Sequence, residues 1–158
     1  MRVRFAIGGA LLAFVLPASI PAHGIATVPL RPATTTNAGL TVALPFGWRV
    51  VHRRLTPCAD PAERLTVAGH GALLMFQERL HPVVGEFSPR PGRFELNGSP
   101  QHIECCAPLR RVGWFSNFVD NGRGFYVYVY LGRPGTRAQA LAILDSLRVR
   151  PSRRAKAA

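Results

Sequence analysis

Residues 40–44 (LTVAL) set apolar side chains at alternate positions, the period of a half-buried strand. Pro45-Phe46-Gly47 turns the chain, and residues 48–52 resume as a β-rich run. Further strands are predicted over 65–67 and 72–78, separated by Gly69-His70-Gly71. Before them, Asp60, Pro61 and Glu63 fit the cap, first and third positions of a short helical turn. Residues 80–92 hold Pro82, Gly85, Pro89 and Pro91 at short intervals and read as a loop. Asn97-Gly98 predicts a hairpin or bulged turn that joins 93–96 to 101–105.

The strongest pattern covers 112–131, where two β-rich runs flank Asn121-Gly122. A two-residue turn there pairs Asp120 with Arg123, Phe118 with Phe125 and Asn117 with Tyr126. One face then carries Trp114, Ser116, Phe118, Phe125, Val127 and Val129. The other carries Phe115, Asn117, Val119, Tyr126, Tyr128 and Tyr130. A helix follows, with Thr136 as its cap and Gln139 closing a capping box. Ala140, Leu141, Leu144 and Leu147 share one side, Arg148 suits the last turn, and Pro151 ends the element. Strands dominate, one helix closes the chain, and no βαβ alternation occurs. The expected class is α+β, an antiparallel β-sheet with a C-terminal helix packed on it.

The ends of the chain have a different character. Arg2 and Arg4 precede an apolar run over 5–16, and small residues follow up to Ala26. That is the form of a secretory signal peptide, expected over 1–24, with cleavage between Ala22 and Ala26. The run is too short to span a bilayer comfortably, and no later stretch reaches that length. The expected location is therefore secreted or extracytoplasmic. Residues 25–39 carry Pro, Thr and Gly without an apolar period and read as an extended linker. A single domain is expected over 40–150, and 151–158 form a basic tail.

Two segments carry a family resemblance. Leu44-Pro45-Phe46-Gly47-Trp48, after its alternating strand, resembles the LP-x-GW opening of PsbP-like domains. Ala142-Ile143-Leu144-Asp145-Ser146-Leu147-Arg148 resembles their closing iL-x-SL helix and strand. The chain also resembles small secreted proteins of GC-rich Gram-positive bacteria. The PsbP-like resemblance implies a twisted antiparallel sheet flanked by helices. It also implies a binding or assembly role, as in a photosystem II extrinsic subunit and a nuclear-import regulator that binds a small GTPase.

Candidate chemistry begins with Cys58, Cys105 and Cys106. Export favours oxidation, and the expected bridge joins Cys58 to Cys105 or Cys106, with one thiol left over. Closing a loop of that length is worth about 3–4 kcal/mol by chain entropy. The alternative is a copper or zinc site on His102, Cys105 and Cys106, with His52, His70 or His81 completing the set. Adjacent strand cysteines point to opposite faces, which argues against it, so no metal or other cofactor is expected. No nucleophile elbow, P-loop, HExxH or dinucleotide fingerprint is present. The expectation is thus a binding module rather than an enzyme, with an unrecognised hydrolase as a further alternative.

The expected binding surface is the aromatic face of Tyr126, Tyr128 and Tyr130 with Phe115 and Asn117, or the loop at 80–92. It would take an envelope protein, a glycan or a peptide. The net charge of +12 comes from 20 basic and 8 acidic residues. Between positions 27 and 147 the count is 13 basic and 8 acidic, so the domain itself is mildly basic. No nucleic-acid module accompanies the charge, and nucleic acid is not an expected partner. The basic tail could meet an anionic envelope surface.

Overall fold

The alternating and β-rich runs form nine strands, which we describe from a computed structural model covering residues 28–81, 85–102, 112–133 and 135–151. They are β1 (Thr34–Thr35), β2 (Leu40–Val42), β3 (Arg49–Val50), β4 (Ala62–Gly69) and β5 (Ala72–Arg79). After these come β6 (Gln101–His102), β7 (Val112–Asp120), β8 (Arg123–Tyr130), the helix α1 (Thr136–Ser146) and β9 (Arg148–Val149). One sheet has the order β1-β2-β9 and the other β3-β4-β5-β8-β7-β6, and every paired neighbour is antiparallel. The architecture is α+β, as its sequence pattern implies. The signal-like segment at 1–24 and the tail beyond Pro151 lie outside the described residues, as do Cys105 and Cys106.

The β7–β8 hairpin has the expected register, with Phe118 opposite Phe125 and Asn117 opposite Tyr126. Asn121 and Gly122 both have positive φ, at 50° and 71°, as this turn requires. His70 and Gly71 do the same between β4 and β5, at 52° and 78°. The inward face of the large sheet meets α1 and the small sheet in one core. It includes Leu65, Leu74, Phe76, Phe118, Phe125, Val127, Leu40, Val42, Ile143 and Leu144. Burying each of the larger side chains is worth roughly 1.5–3 kcal/mol. Trp48 is part of this core and donates from its indole N–H to Gln139 Oε1 at 2.8 Å. Gly69 leaves room for it, because a Cβ there would stand 2.6 Å from the Trp48 ring.

Several expectations are corrected. The helical turn at Asp60–Glu63 is absent, and Ala62 already begins β4. Glu63 instead accepts from the Leu55 and Thr56 N–H groups and the Thr66 hydroxyl, bonds an extended neighbour can reach. Among the described residues, 93–96 do not pair with Gln101–His102, since β6 pairs with β7 and Phe94 and Leu96 turn into the core. The capping box is also absent. The cap is Gly135, with φ 89°, and Thr136 donates its hydroxyl back to the Arg133 carbonyl at 2.8 Å. Arg148 belongs to β9 rather than to the helix. The stretch read as a linker is tied down where it is described. Leu30 bridges to Pro45, and β1 pairs with β2. Asp120 and Arg123 face each other but bond elsewhere, Asp120 with Arg90 and Arg123 with Glu78.

Candidate functional site

The sheet face turned away from α1 carries the tyrosines of β8 in rows with β7, β5 and β4. Tyr128 lies between Phe115 and Met75, and Tyr126 between Asn117 and Gln77. The face is not an open three-tyrosine platform. Tyr128 and Tyr130 are only 5% and 2% exposed and form a second cluster with Leu73 and Met75, against which Leu55 packs. Phe115 is different, because its side chain is 50% exposed in the middle of a nine-residue strand.

Phe115 is held by its neighbours. Its ring stacks on Tyr126 at 5.6 Å between centroids and 27° between planes, and tilts against Tyr128 at 5.3 Å. Phe87, from the Pro/Gly-rich segment after β5, tilts against the other side of Tyr126 at 5.0 Å. Four rings thus form a strip, Phe87–Tyr126–Phe115–Tyr128. Such offset and tilted pairs add about 0.5–1.5 kcal/mol each beyond area burial. Gly124 makes the approach of Phe87 possible, since a Cβ there would stand 2.8 Å from its ring.

Polar groups rim the strip. The Tyr126 hydroxyl donates to Glu86 Oε1, and the Asn117 amide donates to the Glu86 carbonyl at 3.3 Å. Burial first, and the Glu86 carboxylate next, push the Tyr126 phenol up to about 12. Arg79 Nε lies 3.8 Å from the Glu86 carboxylate and 3.9 Å from that of Asp60. The two surfaces expected from the sequence, the tyrosine strand and the 80–92 loop, therefore meet at Tyr126. Phe87, Glu86 and Arg79 were not expected here. Their only local signal is an aromatic and an acid set among turn residues, opposite a glycine in the paired strand.

The seven described carboxylates all have structural bonds. Asp60 accepts from the Leu80 N–H, Glu63 holds the Leu55–Thr56 backbone and Asp145 accepts from the Phe94 N–H. Glu95 accepts from Asn97, and Asp120 and Glu86 pair with arginines. Glu78 is gripped by Arg123 at 2.7 and 2.9 Å and by Arg64 at 2.8 Å. Burial presses its carboxyl upward, but the two guanidiniums outweigh that and hold it below the ordinary glutamate value. None of these arrangements leaves a carboxyl poised across a cleft as a general acid or base. A groove of about 370 Å³ lies beside β3 and β4, lined by Thr34–Thr35, His52, Arg54 and Glu63, but its glutamate is already bound to backbone.

His102 is exposed on β6, and its suggested co-ligands Cys105 and Cys106 lie outside the described residues. Among the described residues, no three His, Cys, Asp or Glu side chains gather as a metal set. Also among them, no helix is long and apolar enough to cross a membrane. No family model, curated protein or solved structure matches the chain.

Proposed function

We propose that this chain is a secreted or cell-envelope binding and assembly module whose ligand lies on the strip of Phe115 and Tyr126. The ligand class is a glycan or extended peptide chain. Its apolar faces stack on the rings, and its polar groups bond the rim of Glu86, Asn117 and Arg79. The half-exposed Phe115, fixed between two tyrosines on a long strand, carries the reading. A fixed aromatic loses little conformational freedom when it is covered. The PsbP-like resemblance of the chain's two ends points to the same kind of role, and the signal-like segment at 1–24 supports the extracytoplasmic setting. A disulfide from Cys58 to Cys105 or Cys106 belongs to this proposal, supported by the oxidising setting that export would give.

The test is a binding screen of the purified protein against envelope polysaccharides and peptide fragments. Phe115→Ala should weaken the captured ligand about tenfold or more, with the protein still folded at the assay temperature although its unfolding midpoint falls by the two lost ring contacts. A ligand bound equally well by Phe115→Ala and by Tyr126→Phe would refute this site.

A further inference from the structure

At the opposite end of the strands, Pro45-Phe46-Gly47 projects beyond β3. Phe46 is 83% exposed there, although Pro45 and Trp48 on either side are buried. The turn is anchored. The Trp48 N–H donates to the Pro45 carbonyl at 3.2 Å, and the His70 ring nitrogen bonds the Phe46 carbonyl at 3.1 Å. Leu30, bridged to Pro45, is 40% exposed at the same end. Two apolar side chains thus face water from a fixed tip.

Cations surround this tip. The Arg31 guanidinium bonds the Trp48 carbonyl, and Arg49 opens β3. Arg133 lies beside Gly71, next to His70 in the β4–β5 turn. None of these arginines has an acidic partner among the described residues. Every described ion pair is at the other end of the sheet: Arg64 and Arg123 with Glu78, Arg79 with Asp60 and Glu86, and Arg90 with Asp120. Glu63 and Asp145 are also in that half, opposite Gln77 and in the last turn of α1. Glu95 precedes β6, at the sheet edge remote from β3.

We propose that the Phe46 end is a docking surface for an anionic lipid bilayer. An apolar tip within a collar of unpaired cations matches the two layers of such a surface. The ring enters the acyl boundary while the arginines meet the phosphates. A projecting turn suits a fluid surface better than a protein partner, which would need a broader complementary face. This site is separate from the aromatic strip and does not depend on it.

The protein as recovered from its expressing cells would be floated with vesicles of phosphatidylglycerol and phosphatidylcholine, and with phosphatidylcholine alone, at low and high salt. Binding is expected to the first only and to weaken with salt. Phe46→Ser should lower the partition about tenfold, and Arg49→Gln and Arg133→Gln about fivefold each. All three side chains are exposed, so folding should be unchanged. Phe46→Trp should gain a blue-shifted emission on phosphatidylglycerol vesicles. Failure to bind these vesicles at low salt would overturn the proposal. So would equal binding by Phe46→Ser and the wild type, or binding abolished by truncation after Pro151 but untouched by Phe46→Ser, which would place the contact in the tail.

Discussion

Arg90→Met tests how the loop before β6 locks the helix to the sheet. The Arg90 guanidinium donates to the carbonyls of Leu147 at 2.7 Å and of Leu144 and Asp145 at 3.3 Å each. It also meets the Asp120 carboxylate at 3.1 Å, with both side chains less than one-fifth exposed. One cation thus satisfies three carbonyls at the negative end of α1 and an acid on β7. Methionine keeps an apolar stem but removes every one of these bonds, together with the guanidinium that lies 5.5 Å over the Phe94 ring. The short bond to Leu147 is worth about 1.5–2 kcal/mol as a charge-assisted contact. The two longer ones contribute about 0.5 kcal/mol each, since water can replace them in part. The Asp120 pair, nearly buried, adds about 1 kcal/mol. The expected loss is about 3.5–4 kcal/mol, a large share of the roughly 5–15 kcal/mol typical for a domain. Urea unfolding followed by circular dichroism should show the midpoint falling at unchanged slope. Arg90→Lys, which keeps the charge but not the fork, should recover about a third of the loss. Arg93→Met, at an exposed position, should cost less than about 0.5 kcal/mol. A loss below about 1 kcal/mol for Arg90→Met would show that the carbonyl bonds contribute little and refute the reasoning.

Other outcomes follow from the same geometry. Because the folded pKa of Glu78 is lowered, its contribution is full above the ordinary glutamate range and is lost as pH falls through the folded value. Urea midpoints of the wild type should therefore drop below about pH 5, and Glu78→Gln should be less stable near neutrality with a flatter acid limb. An ultraviolet titration should include a tyrosine step at about 12 that Tyr126→Phe removes. Thiol alkylation in denaturant should label one cysteine before reduction and three after, and three labels without reductant would sink the bridge from Cys58.

The β7–β8 hairpin was legible because its information is local. Asn-Gly supplies two residues that accept positive φ, and strict alternation leaves a single register that buries Phe118 and Phe125. The partner of β6 was not legible, because Asn97-Gly98 signals a turn and says nothing of what pairs beyond it. Asp120 and Arg123 misled for a similar reason. Adjacency predicts their pairing, but Arg90 and Glu78, remote in sequence, offer each a better-shielded partner. Thr136 and Gln139 fit a capping box in spacing, but Trp48, from ninety-one positions earlier, claims the glutamine. At the site, the tyrosine strand could be read from alternation, but its cover could not. Leu55, Glu86 and Phe87 come from stretches with no period. The exposure of Phe46 was hidden too, since a Pro-Phe-Gly-Trp sequence is equally compatible with a phenylalanine turned inward.

The distribution of charge along the strands gives the two proposed surfaces separate physical roles. Acids and arginines neutralise one another around the aromatic strip, so a ligand there meets fixed dipoles and rings rather than a long-range field. Arg31, Arg49 and Arg133 stand at the other end without an acidic partner among the described residues, and there they supply a salt-dependent attraction to an anionic surface. Tyr126 pairs with Gln77, five positions along β5 from Ala72 at the turn end. That separation is roughly 17 Å at strand rise, and Phe115, level with Tyr128 and Met75, lies roughly 10 Å from the same end. Sites this far apart and without shared partners should act additively. Phe46→Ser should leave ligand affinity unchanged, Phe115→Ala should leave vesicle binding unchanged, and the double variant should show both losses at full size. A defect in vesicle binding caused by Phe115→Ala would mean that the aromatic strip is part of the membrane contact, and the division of roles between the two ends would fail.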